Sequence, residues 1–290
     1  MMSKKAVIAT STSCLDYLNL KEDNLRILRM KILMGDETLE DFHGITAEEF
    51  YNRLKDDRKL VPSSTMPSIG EFLELLDELE KEGYEEVLAI TVSSGLSGTF
   101  GVLKAAIDNN YEGNLKVEVF DSRNAAISEG YLNLEALRLF KEGKSMEETV
   151  EYLTFMRTNR KQYFMVDNLR LFVANGRLSG AQGLIGSMMK IKPILEVNNE
   201  GNIVPFEKIR TTRKALIKMV EYVIEDCKKL DDFIITYDTS DNLEGLEYIK
   251  QRMEEAFPGY KYYEAPITPV IGCHTGEGTV GIAYFDLTKK

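Results

Sequence analysis

Residues Glu86–Ala106, EVLAITVSSGLSGTFGVLKAA, constrain the fold more than any other stretch of the chain. An apolar run from Val87 to Val92 reads as a strand, Ser93, Ser94 and Gly95 as a turn, and Leu96, Phe100, Leu103 and Ile107 then recur at helical spacing. A strand, a short turn and a helix in that order belong to a parallel sheet, and open α/β sheets bind ligands where such strands end. The turn sets serine hydroxyls beside the free N–H groups of a helix N-terminus, a combination suited to a carboxylate or phosphate. Ser97 reads as the N-cap of that helix. Ser94, one turn earlier, has no capping duty and is the candidate ligand-binding hydroxyl of the loop.

The rest of the chain repeats this logic. Lys5 to Thr10 reads as a first strand followed by Ser11, Thr12 and Ser13, another hydroxyl-rich strand end. Leu25 to Met34 alternates apolar and basic residues, which predicts one strand with a wet face near a sheet edge. Thr46 with Glu49 has capping-box spacing and opens a helix to about Asp56. In Val61–Ser68 two prolines are expected to hold the chain out of helix and ladder alike, leaving Ser64 and Thr65 without a local duty. Ser68 and Glu71 cap an amphipathic helix carrying Ile69, Phe72, Leu73, Leu76 and Leu79. Leu115 to Phe120 is a further strand, ending at Asp121-Ser122, with helices from Ala125 to Lys141 and Lys144 to Arg160, the second opened by Ser145 and Glu148.

Strands alternating with helices predict a parallel sheet covered on both faces, an α/β/α sandwich. The pattern changes near Arg160, which places a first domain at 1–160 and an α+β second domain at 161–290. The second is expected to hold a strand at Tyr163–Val166, short helices at Asn168–Asn175 and Leu178–Met189, and a hairpin of Ile191–Val197 and Ile203–Ile209 around Asn198–Gly201. A helix at Thr211–Lys228, strand Phe233–Tyr237, helix Asn242–Ala256 and strands Tyr260–Ala265 and Val280–Leu287 follow.

Composition excludes several classes. A net charge of -11 without any basic run argues against nucleic acid or an anionic membrane surface as partner. No segment is long and apolar enough to span a bilayer, so no stable membrane insertion and a cytoplasmic location are expected. Cys14, Cys227 and Cys273 are scattered without metal-ligand spacing and read as buried thiols, with no metal site. Gly276-Glu277-Gly278-Thr279-Val280-Gly281 matches GxGxxG, yet it precedes a strand instead of opening a helix. Gly95-Leu96-Ser97-Gly98 lacks the final glycine of a nucleophile elbow, Thr99 standing there. A serine hydrolase using Ser97 and His274, which reads as lying in the glycine-flanked loop Gly272–Gly276 between the final strands, is nonetheless a competing reading; His43, in a polar turn, reads as a surface residue. There is no Walker A sequence to seat a nucleotide.

Several stretches together resemble the DegV family over nearly the whole chain. They are Ser11-Thr12-Ser13; Ser64-Thr65-Met66-Pro67-Ser68; Val92 to Phe100; Phe120-Asp121-Ser122; Asn175-Gly176-Arg177-Leu178-Ser179; Lys190 to Leu195; and Ile271-Gly272-Cys273-His274-Thr275-Gly276-Glu277-Gly278. Two depart from the family's usual wording: Thr-Ser-Gln-Pro-Ser reads Ser64-Thr65-Met66-Pro67-Ser68, and Gly-Gly-Arg reads Asn175-Gly176-Arg177.

The resemblance implies two α/β domains with a long-chain fatty acid held between them. It further implies the lipid-binding, non-catalytic subunit of a bacterial fatty acid kinase, whose separate ATP-using subunit phosphorylates the bound carboxylate. On that reading Ser94, Ser64 or Thr65, His274 and Thr275 meet the fatty acid, Arg177 and Arg210 lie at the docking surface for the kinase subunit, and no cofactor is needed. Twelve Met suit the lining of a tunnel for a flexible tail. A lipid-filled sensor or scaffold is a third reading.

Overall fold

The computed structural model describes residues 3–167, 169–177 and 191–288. Its earlier elements are β1 (Lys5–Thr10), β2 (Leu25–Leu28), β3 (Lys31–Met34), β4 (Glu37–Glu40), α1 (Ala47–Asp56), β5 (Ser63–Thr65), α2 (Ile69–Lys81), β6 (Glu86–Thr91), α3 (Thr99–Asn110), β7 (Lys116–Asp121), α4 (Ile127–Lys141) and α5 (Met146–Thr158). The later ones are β8 (Arg160–Met165), α6 (Arg170–Ala174), β9 (Ile194–Val197), β10 (Ile203–Glu207), α7 (Thr212–Cys227), β11 (Phe233–Thr239), α8 (Leu243–Ala256), β12 (Tyr262–Pro266), α9 (Pro269–Thr275) and β13 (Val280–Asp286).

Strands β2-β1-β6-β7 form a sheet paired in parallel throughout, as the alternation of strand and helix requires. One face, with Ala6, Ile8, Val87 and Ala89, packs on Phe72, Leu76 and Leu79 of α2 and Leu103 of α3. The other, with Val7, Leu88 and Ile90, packs on Leu132 and Ala136 of α4 and Leu153 and Met156 of α5. Burial on both faces explains why the β6 sequence runs apolar without alternation. The six-stranded mixed sheet, β10-β9-β8-β13-β11-β12, lies across α4 and α5, with Ile234 and Phe285 joining the same core. Its far face carries α7 and α8. The architecture is therefore α/β with two domains, a parallel-sheet sandwich followed by an α+β unit.

Capping boxes at Thr46/Glu49, Ser68/Glu71 and Ser145/Glu148 start α1, α2 and α5. Two expectations about strands fail in the first half. Leu25–Met34 is broken at Arg29-Met30: Arg29 turns to Asp16 (2.7 and 2.9 Å), and the Met30 N–H donates to Ser11 Oγ (3.2 Å). The chain thereby leaves the parallel sheet and enters a separate three-stranded antiparallel one, β4-β3-β5. Ser63–Thr65 does join a ladder, Ser64 opposite Ile32, because the prolines at 62 and 67 flank the paired residues and do not interrupt them. The expected helix Leu178–Met189 lies outside the described residues. Among the described residues no helix is long and apolar enough to cross a membrane, and the three cysteines are buried free thiols.

Candidate ligand-binding site

The carboxyl ends of the parallel strands run into Ser11–Ser13, Val92–Gly98 and Ser122–Ala126, and these loops are tied to one another. The Ser93 N–H donates to Asn124 O (2.9 Å), the Ser122 N–H to Thr91 O (3.2 Å) and the Val92 N–H to Thr10 Oγ1 (3.3 Å). Above them, between the two domains, lies a cavity enclosing about 630 Å³ of space, its mouth included. Met30, Val92, Leu96 and Ala125 line it from the first domain, and Phe172, Ile203, Val270 and Ile271 from the second. Polar groups are few: Thr12, Ser64, Thr65, Ser97, Thr275, His274 and Arg177. Among the described residues no carboxylate lines it.

Ser64 and His274 meet across the domains, with Oγ and Nε2 3.0 Å apart. Burial, with the Arg177 charge nearby, pushes the His274 imidazole down to about 4, so it is neutral at physiological pH. Its Nδ1 is buried without a partner among the described residues. If Nε2 carries the ring proton it donates to Ser64, and the Ser64 hydroxyl is then free to donate onward to a ligand. His274 sits not in a loop, as its glycine neighbours predict, but on helix α9, where Pro269 occupies the first turn. Gly272 is there because a Cβ at that position would press on Phe50 and Tyr51 of α1.

The structure thus brings Ser64, Thr65, His274 and Thr275 to one cavity, with Arg177 at its lining. It does not bring Ser94. The Ser94 side chain is exposed and turned to Asp121: Oγ donates to Oδ2 (2.6 Å) and its N–H to Oδ1 (3.0 Å). Its local duty, invisible in the chain order, is to bridge β6 and β7. Ser97 takes the place in the lining, and the residue before α3 is Gly98, which makes no side-chain cap. The Ser97 hydroxyl bonds to Thr99 Oγ1 (2.8 Å) and not to His274, so the Ser97–His274 pair needed by a hydrolase is absent among the described contacts. Arg177 is exposed and donates to Asn175 O; Arg210 is exposed ahead of α7 and does not line the cavity. Thr12, read in the sequence only as part of a hydroxyl-rich strand end, joins the lining, and the apolar lining residues, among them Met30, Ala125, Phe172 and Ile203, carried no signal that sets them apart from core residues.

The family model described as "Uncharacterised protein, DegV family" matches residues 4–287. The chain belongs to the DegV family. Protein DegV of Bacillus subtilis is 34% identical over 280 residues, which is 96% of this chain and 98% of the relative. A crystal structure of DegV from Bacillus subtilis, described as a fatty acid binding protein, superposes with a TM-score of 0.88 at 33% identity, covering 98% of this chain and 99% of that one. The Streptococcus pneumoniae fatty acid kinase B3 protein, loaded with linoleic acid, shares the fold with a TM-score of 0.82 at 21% identity, covering 98% and 99%.

Proposed function

We propose that this DegV-family protein binds a long-chain fatty acid in the cavity between its domains, taken as residues 1–160 and 161–290. The observation that carries the reading is the lining itself. Apolar walls come from both domains, and the hydroxyls of Ser64, Thr65, Ser97 and Thr275, a neutral imidazole and the Arg177 guanidinium are set among them, with no opposing carboxylate among the described residues. An acyl tail of about fifteen methylenes at roughly 0.8 kcal/mol each contributes about 12 kcal/mol before the cost of association, enough for retention without a strong ion pair at the head. The hydroxyls of Ser64 and Ser97 orient the carboxylate, with Thr65 or Thr275 completing its partners. Ser94 has no part in it, being held by Asp121.

On the same reading the chain has no catalysis of its own. A neutral imidazole of such low basicity, its Nδ1 unpaired by any described carboxylate, is a poor general base. The carboxylate is instead presented to a separate ATP-dependent kinase subunit, with exposed Arg177 at the cavity and Arg210 offering donor forks to that partner.

Native mass spectrometry of the purified protein, followed by extraction, tests the lipid reading: one acyl chain per polypeptide is expected, and a protein that neither carries nor takes up fatty acid would end it. Ser64→Ala should weaken fatty-acid binding by about 1 to 2 kcal/mol and Ser94→Ala should leave it unchanged. The reverse ranking would move the head group to the Ser94 loop. Acyl-phosphate formation requiring both this chain and an added kinase subunit, and falling in Arg177→Ala with lipid content preserved, tests the second half.

A further inference from the structure

Asp41, directly after β4, is fully buried, and its side chain belongs to no element near it in sequence. Its Oδ1 accepts from the Thr268 hydroxyl (2.6 Å) and the Val270 N–H (3.3 Å), and the Ser11 hydroxyl of the first domain is the further polar group that favours the ionised carboxylate. Thr268 is the residue before α9, yet its hydroxyl makes no cap to its own helix. The first free N–H of α9 is therefore met by a carboxylate from the other domain, which also suits the positive end of the helix dipole. A second tie lies alongside: the Tyr51 hydroxyl donates to Ile267 O (2.9 Å), and Gly272 lets α9 approach α1 without a Cβ between them.

What α9 carries gives these contacts their meaning. Val270, Ile271, His274 and Thr275 all line the cavity. The other half of the His274–Ser64 pair stands on β5, in the same three-stranded sheet as β4. One small sheet thus supplies the serine and, through Asp41 at the end of its edge strand, anchors the helix bearing the histidine.

We propose that Asp41 is a positioning residue of the fatty-acid site: by capping α9 across the domains it sets His274 against Ser64 at the ligand head group. The inference rests on the fatty-acid reading above. A purely structural cap would weaken binding independently of His274, whereas a positioning residue acts through it.

A double-mutant cycle separates the two, read as the dissociation constant for cis-parinaric acid by fluorescence titration. Asp41→Ala is expected to raise the constant about tenfold, and Asp41→Asn, whose amide oxygen still accepts both hydrogen bonds, to stay within about twofold of wild type. The Asp41→Ala, His274→Ala double variant should bind no more weakly than His274→Ala alone. Should Asp41→Ala not fold, Thr268→Val removes the hydroxyl donor and enters the same cycle with His274→Ala. Losses that multiply in the double variant, or an Asp41→Ala protein that binds as wild type does, overturn the proposal while the fatty-acid reading stands. A wild-type protein that fails to bind the probe overturns both.

Discussion

Glu129→Gln is expected to become progressively more stable than the wild type as pH rises, by about 4 kcal/mol between roughly pH 5 and pH 8. Glu129 lies in the first turn of α4 and is fully buried. Its Oε1 accepts from Thr10 (2.5 Å) and Thr12 (3.0 Å), and Oε2 has no partner among the described residues. Burial pushes the carboxyl up from 4.5 to about 8, more than the two threonine hydroxyls can offset. A carboxyl raised in this way favours the folded state fully below about pH 4.5, and that stability is lost as pH climbs through 8 and the native state must ionise. Asp238 and Asp41, raised by burial to about 7 and about 6, act in the same direction over lower ranges. Glu71, held near 2 by Lys31 and the Ser68 cap, acts in the opposite direction in acid. Urea unfolding at a series of pH values reads this directly: the wild-type stability falls from about pH 5 to pH 8, and the profile of the Glu129→Gln variant is flatter at its upper end. Parallel profiles for the two proteins would show that Glu129 is already ionised in the native state. The group matters to the site because Thr12, one of its two donors, lines the cavity.

Gly201→Ala should cost about 2 to 4 kcal/mol and weaken fatty-acid binding as well. Gly201 closes the β9–β10 hairpin at φ +81°, and a Cβ there would overlap Ser93 Oγ and come within 3.2 Å of the Arg123 backbone. Ser93 Oγ donates to Gly201 O (2.7 Å), and Arg160, buried, donates to Val197 O (2.6 Å) and Asn198 O (3.1 Å) in the same hairpin. The hairpin is therefore clamped on the strand-end loops of the first domain, and Ile203, two residues on, lines the cavity. Gly259→Ala is the control: φ is +74° but nothing lies within 4 Å of the added methyl, so only backbone strain, about 1 kcal/mol, is expected. Equal losses in melting temperature for the two variants would remove the clash, and with it the clamp, from the account.

What could be read in the chain order is what contacts near in sequence decide. A capping box joins residues three apart, so Thr46/Glu49, Ser68/Glu71 and Ser145/Glu148 announce their helices wherever the helices later pack. The unbroken apolar run of β6 reports burial on both faces, and alternation of strand with helix carries parallel pairing with it. The placement of Ser64, Thr65, His274 and Thr275 in one cavity matches the stretches that resemble the DegV family. The choice between Ser94 and Ser97 was not legible, because it is made by Asp121, on a strand that pairs with β6 only in the folded sheet. Nor was the break at Arg29-Met30, made by Asp16 and Ser11, or the pairing of Ser64 with Ile32. Gly272–Gly276 reads as a loop because the cap that makes it a helix stands on Asp41, more than 220 residues earlier. Sequence alone determined the segments whose caps and burial pattern lie within the segment itself, the parallel strands and the long helices, since hydrogen bonds and periodic burial along the chain suffice for those. Which hydroxyl faces the cavity was left to tertiary structure, because a side chain at a strand end turns toward whichever distant partner satisfies it.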